Sequence, residues 1–591
     1  MIVSIDSSLT TFKSVRFHTG LNVLLSSKSA QGEDRKTRNS AGKSSLVDIV
    51  HFLLGGKADT GNLLRHPLLN DHVFRGTFRI AGRDVSVERS GAKHGRIYVD
   101  PASVEHFGLQ AKPDKESGAL SISNEAWKDF LAHRWFDLPA VVKGSPFEES
   151  FTPSFRALFG YFARRHGSGA FGHVERQAEA QQRWDWQSNL SYLLGLDWRI
   201  PRDLHLVKQR EGQLDELKKA AKGGAFGAVI GTVAELRPAV VLAEAKAARL
   251  REEIGRFEVH DTYREILDQA TRAKVEMQAI SRRAVPLRET VAHLRAAIET
   301  ERSPERNDLS RLYATVGIEL PDLAKRRFED VERFHRTVVE NRRLRLRDEI
   351  ETAERELAEG EIRFAGLDAE RGAILRILEG RGALEDFVAL QTRLADAEAE
   401  AAALRERFRS AEALESQTTE LSMERIGIKR RLQEDHQRRR DRLDEAILLI
   451  GNAITSLYED RQGKFEVEAT ENGPEFRITI QGDRGGGISN MEIFCLDYAL
   501  FSIWSTRGKG PGFLIHDSHL FDGVDPRQVA NALALGAEAA RASGGQYIVT
   551  MNSDIYDTLP LPAGIDREGV VMRPRLSDAD EGSGLFGFRF D

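Results

Sequence analysis

The sequence nearly lacks cysteine, with one residue, Cys495, in 591. A lone thiol cannot close an intramolecular disulfide, so a disulfide-stapled fold is excluded and a reducing compartment fits. Cys495 lies in the apolar run IFCLDYALF and reads as a core residue. No run of about 18 apolar residues exists, the length a membrane-crossing helix requires. The start, MIVSIDSSLTTF, has no basic segment leading into an apolar one, so no secretory leader is expected. The expectations are therefore no membrane and a cytoplasmic location. Neither sign of charge dominates: 85 Lys and Arg meet 91 Asp and Glu, for a formal net charge of −6. A polycation is excluded, and DNA would have to be held by a local patch. What the chain has in surplus is charge of both signs, 30% against roughly 25% in ordinary globular domains. That points to a long solvated surface.

Three textures succeed one another. Residues 1–202 are mixed. VFRGTFRIAGRDVSVER and RIYVD alternate as antiparallel strands do, with a turn at Ala81-Gly82. FRALFGYFARR and WDWQSNLSYLLGL then read as aromatic-rich helices. Residues 203–449 are rich in the helix formers Ala, Leu, Glu and Arg. Ala243, Ala247, Leu250, Ile254 and Phe257 step by four and three, as do Leu390, Leu394, Ala397, Ala401, Leu404 and Phe408. This 3.5-residue period predicts a coiled-coil seam, the alternative being a helical bundle with a wider apolar face. Gly223-Gly224, Pro286, Pro304 and Gly380-Arg381-Gly382 are expected to interrupt it. Residues 316–322, VGIELPD, are the expected hairpin tip, since Gly317 and Pro321 both stop helices. Residues 450–591 return to strands in KFEVEATENGPEFRITIQG, with a turn signal at Asn472-Gly473. Then come an apolar helix, the strand GFLIHD, a helix from about Asp525 and the strand QYIVTMN, the alternation of a mainly parallel α/β sheet. An antiparallel hairpin returns the chain to its start, so both ends are expected to build one head.

The chemistry sits at those ends. TRNSAGKSSLVDIVHFLLG places Asn39, Ser40, Ala41, Gly42, Lys43, Ser44 and Ser45 between the strand GLNVLL and an apolar helix. That is the setting of a phosphate loop: backbone N–H groups cradle phosphates, Lys43 reaches their oxygens, and the Ser44 hydroxyl holds Mg²⁺. The motif's usual first glycine is absent. GFLIHDS ends an apolar strand in Asp517, suited to a carboxylate linked to Mg²⁺. In GDRGGGISNMEIF, Gly487, Ser489 and Asn490 at a helix start can present donors to a γ-phosphate; a hairpin loop with a helix cap is the plainer alternative.

Together these features resemble the SMC-like, RecF-like and RecN-like ABC ATPases. The resemblance implies an α/β ABC head of the P-loop NTPase type, split between the two chain ends and joined by a long antiparallel coiled coil. It implies ATP and Mg²⁺ as cofactors, GGGISN as signature loop, GFLIHD as the Walker B strand, FDGVD as D-loop and QYIVTMNSD as switch strand. GIELPDLAKRRFEDVERFHRTVVENRRLRLRDEI, with Phe334, His335, Asn341 and Arg342, further resembles a bacterial branch associated with three-component ABC systems thought to act against phage or plasmids. Ser518 stands where the family carries its hydrolytic Glu, and Asn552 where the switch His is usual. Gln181, Gln182 and Gln187 are the candidates for the Q-loop glutamine.

The functional expectation is an ATP-binding, slowly hydrolysing clamp or sensor. Its heads would pair as a homodimer around ATP, and a separate effector protein would do any damage. DNA binding is implied by the resemblance; Arg438, Arg439, Arg440 and Arg442 are either a phosphate-contacting patch or a solvated helix face. A RecN-like repair ATPase and an ATP-bound switch with little turnover are the alternatives. With Ser518 too weak a base, His519 and Asp522 are the candidates to activate water, His519 because imidazole titrates near neutral pH; packing or capping is its plainer role.

Overall fold

The computed structural model describes all residues except 28–41, 140–151, 223–230, 258–260, 301–321, 379–382, 483–484, 578–580 and 589–591. The fold is mixed α/β with long helices, and the chain divides into two compact units. One is built mainly from the chain ends, Met1–His205 and Ile426–Asp591, the other mainly from Leu206–Arg306 and Asp330–Arg425.

In the first unit a seven-stranded antiparallel sheet runs in the order Val15–Arg16, Ile2–Ser7, Val73–Ile80, Arg83–Ser90, Arg96–Val99, Leu120–Ser123, Lys112–Pro113. Its central hairpin turns at Ala81 (φ 49°) and Gly82 (φ 79°), the positive pair a tight two-residue turn demands. A second sheet is wholly parallel: Phe513–His516, Gln546–Asn552, Gly20–Ser27, Leu576–Ser577. Its strands are buried on both faces, which is why VLL and FLI read as unbroken apolar runs rather than alternating ones. The strand from the chain start lies between two from the chain end, so neither end can complete this sheet alone. Helix Lys43–Leu53 touches both sheets, and eight of its 11 residues are buried, as expected of a helix with sheets on two sides.

In the second unit the seam is antiparallel. As one arm advances through Ala247, Met277 and Leu294, its packing partners recede through Ala397, Leu367 and Leu346. Cross-arm ion pairs flank it, including Lys246–Glu400 at 3.0 Å and Arg288–Glu361 at 2.9 Å. Such exposed pairs set register more than stability.

Three expectations need correction. Pro286 does not break its arm: helix Asp261–Thr300 runs through it, as helix Val233–Gly255 runs through Pro238. Leu287, Val291 and Leu294 pack on Leu346, Ile350 and Ala353 just beyond Pro286, offsetting the one hydrogen bond that proline removes. The second hairpin turns at Glu471-Asn472, with Gly473 (φ 99°) opening the return strand. Glycine is required there by its positive φ, and a Cβ would also lie 2.7 Å from the Gln187 amide. FRALFGYFARR is helical only over Phe155–Phe159; beyond Gly160 it leads into a strand-like bridge. The tip at 316–322, Gly223-Gly224, Pro304 and Gly380–Gly382 lie outside the described residues, Asp322 of the tip excepted, which opens a helix.

Candidate functional site

Parallel strands bring their carboxyl ends to one edge of a sheet, where open α/β sheets bind ligands. Three strands deliver the site there. Beyond Gly20–Ser27 comes Gly42, the N-cap of helix Lys43–Leu53, with φ 81° and no side-chain cap. A Cβ at Gly42 would also lie 2.8 Å from the Leu585 side chain, so only glycine fits. Asn39, Ser40 and Ala41 lie outside the described residues.

Lys43 is almost fully buried, and its ammonium donates to Oδ1 of Asn552 at the end of the neighbouring strand. The Ser44 hydroxyl donates to Oδ2 of Asp517 at 2.6 Å, closing a gap of 473 residues in the chain. Asp517, 1% exposed, is held from its other oxygen by the Thr550 hydroxyl (2.6 Å) and the Ser518 N–H (2.7 Å). A helix N-terminus, an ammonium, a hydroxyl and an oriented carboxylate thus meet at one edge. A hydroxyl and a carboxylate are hard oxygen donors, the set a Mg²⁺ shared with phosphate takes. Ser45 is half-buried on the helix's first turn.

Past Asp517 the chain makes a short turn. There Nδ1 of His519 faces Oδ2 of Asp522 at 3.1 Å. The glycine loop packs on this turn: a Cβ at Gly487 would fall 2.3 Å from the Gly523 carbonyl, and Asn490 donates to the Asp522 carbonyl at 3.1 Å. The Asn490 amide is therefore committed within its own chain, whereas Ser489 is exposed.

None of the three glutamines is brought to this edge by its hydrogen bonds. Gln181 accepts from the Gln177 N–H, Gln182 from Trp184, and Gln187 donates to the Asn472 and Pro474 carbonyls. Instead Ala163 pairs in parallel with Ile515, so the chain leaving it reaches the Asp517 edge as Arg164-Arg165-His166. His166 stacks on His519, ring centroids 3.8 Å apart.

Behind Asp517 lies a polar chain that the sequence did not disclose. Arg164 and Asp497, both fully buried, pair at 2.7 Å; His516 reaches Asp497 (3.4 Å) and Tyr547 (3.0 Å). Burial lowers the His516 pKa and raises that of Tyr547 well above the usual phenol value, so both stay neutral. The signal was a charged residue at the end of one apolar run, Arg164, and another inside a second, Asp497; pairing across 333 positions cannot be read from one sequence. Thr550, inside an apolar strand, gave no signal.

The arginine cluster is largely neutralised: Arg439 pairs with Asp435 (2.7 Å), Arg440 with Asp444 (3.4 Å) and Arg442 with Glu445 (3.8 Å). This favours the solvated face. Phe334, His335, Asn341 and Arg342 lie on helix Asp322–Leu378, and their side chains fall outside the described residues.

A mixed α/β unit made from two chain ends, with a separate antiparallel coiled coil between them in sequence, is the plan of the SMC-like ABC class. Residues 289–415 match the family model of C-terminal domain 10 of the ABC-three component (ABC-3C) systems. Residues 453–590 match the family DUF2326, an uncharacterised protein conserved in bacteria. Uncharacterized protein YydD of Bacillus subtilis (strain 168) is 21% identical over 97% of this chain and 96% of its own. Two solved structures are similar. One is the Smc head domain of Pyrococcus yayanosii with a coiled coil and joint, with TM-score 0.34, 13% identity, 94% of this chain and 92% of that one. The other is that of Pyrococcus furiosus with an extended coiled coil, bound to the C-terminal domain of ScpA, with TM-score 0.32, 11% identity and coverage of 94% and 90%. Among the described residues no helix is long and apolar enough to cross a membrane.

Proposed function

We propose that this chain is an ATP-binding, slowly hydrolysing clamp or sensor of a bacterial defence system. Its ABC head would be formed by residues 1–202 and 450–591 and its coiled coil by 203–449. The observation that carries the reading is the convergence of Lys43, Ser44, Asp517 and Asn552 at one sheet edge, drawn from opposite ends of the sequence. ATP phosphates would lie on the N-terminus of helix Lys43–Leu53, with Lys43 neutralising them as it leaves Asn552. Ser44 and Asp517 would hold Mg²⁺, which when bound supplies charge neutralisation at the β- and γ-oxygens.

Ser518 cannot take the proton of the attacking water. His519 can: Asp522 faces its Nδ1, which places the proton on that nitrogen and leaves Nε2 as the base, the logic of an oriented imidazole. Gly487 and Ser489 of a second head would complete the γ-phosphate site, making the working unit a homodimer. A separate effector is the second partner, in keeping with the three-component match. The exposed Ser489 supports pairing.

The deciding experiment is ATP turnover by the purified chain, alone and with linear, circular and single-stranded DNA. Turnover raised by DNA supports the clamp. ATP bound with no turnover under any condition supports the sensor, and no ATP binding ends both readings.

A further inference from the structure

The turn carrying His519 is braced by a residue from a distant part of the chain. After the parallel bridge Ala163↔Ile515 the backbone emerges beside Asp517. The buried Arg164 then anchors the loop beyond it. Its guanidinium holds both oxygens of Asp497, at 2.7 and 3.0 Å, and donates to the Ala170 and Val174 carbonyls at 2.7 and 2.8 Å. The loop is tied at those points, and its short turn His166–Ser168, closed by Gly169 at φ 70°, presents one exposed ring. That ring, His166, lies on the His519 imidazole at 3.8 Å with the planes 19° apart. His519 is thus constrained twice: Asp522 takes its Nδ1 at the ring edge and His166 covers one face.

We infer that His166 is a positioning residue for hydrolysis, its ring setting the plane of His519 so that Nε2 points at the water beside the γ-phosphate. The inference rests on the reading of His519 as the base. A general base works only within hydrogen-bond reach of the proton it takes, and an imidazole free to rotate in a half-exposed turn spends little time so aligned. Stacking supplies the restraint without contacting nucleotide, so His166 affects turnover and not binding.

The experiment compares His166→Ala, His166→Phe and His519→Ala in the full chain, measuring kcat, KM for ATP and ATP-dependent mass by light scattering. His166→Ala is expected to lower kcat by about tenfold to about a hundredfold with KM and ATP-induced mass unchanged. His166→Phe, which keeps a ring on the stack but no nitrogen, is expected to restore most of the loss. Normal kcat in His166→Ala, or a Phe variant as impaired as the Ala variant, overturns the positioning role while a dead His519→Ala leaves the base standing. Normal turnover in His519→Ala overturns both, as does a parent protein with no turnover under any condition.

Discussion

On the proposed reading, Lys43 matters to function and little to folding. Its ammonium is buried against Asn552 and its stem lies at the head of a helix anchored by Leu46, Val47, Ile49 and Val50. Lys43→Ala is therefore expected to abolish ATP binding, measured by isothermal titration, while the melting temperature stays within a few degrees. Asp517→Ala should differ, retaining some nucleotide but losing its Mg²⁺ dependence, because the carboxylate rather than the ammonium is gone. His51 behaves in the opposite way. Burial, then the Arg156 and Arg165 guanidinium groups, hold its pKa well below 6.5. Its Nε2 donates to the Ala163 carbonyl at 2.6 Å while Nδ1 accepts from Arg156. The unfolded chain protonates near 6.5 and the folded one resists, so between those values the unfolded state binds the extra proton and stability falls as pH drops. Urea midpoints at pH 7.5 and 5.5 should show the loss, at up to about 1.4 kcal/mol per pH unit for one proton. His51→Gln should flatten that slope in part, since half-buried His436 and buried His516 act in the same direction.

Among the elements, the long helices and the parallel strands were the most legible. A 3.5-residue period and unbroken apolar runs are local patterns, and local patterns survive in a single sequence. Ala247, Leu250 and Ala397 occupy the seam that spacing assigned them. The Ala81-Gly82 turn was legible because positive φ restricts the residue choice. Residue type alone left the three glutamines as open candidates, because topology decides what reaches the edge: the Ala163↔Ile515 bridge brings Arg164-Arg165-His166 there. Pro286 was misread because propensity was weighed without the packing around it. The seam itself can be tested. Ala397 is 1% exposed and packs against the arm carrying Leu250. Ala397→Glu would bury an unpaired carboxylate, costing several kcal/mol locally. Limited proteolysis should then cut within 240–260 and 385–405, with ATP affinity unchanged. Equal protection in the variant and the parent would show that this stretch is not a closed seam.

At the scale of the whole molecule, the proposed reading has a second head completing the nucleotide site on the side of the γ-phosphate. Lys43, Ser44 and Asp517 come from its own sheet edge, and its own Asn490 is turned inward to the Asp522 carbonyl. Ser489, on the first turns of helix Gly486–Thr506, is exposed, as the proposed contact with a second copy requires. If the two heads close on ATP, a non-hydrolysable analogue with Mg²⁺ should double the mass seen by light scattering, and ADP should not. Ser489→Arg places a long cation where the partner's loop must approach, so it is expected to leave ATP affinity within about twofold and to lower the fraction of dimer by an order of magnitude or more. The pairing buries charged ligand and polar loops rather than an apolar face, so it should also weaken as salt rises. A constant mass with nucleotide bound, in the parent and the variant alike, would make the protein a monomeric switch whose site is completed by its effector, and the Ser489 substitution would then be read out in effector binding instead.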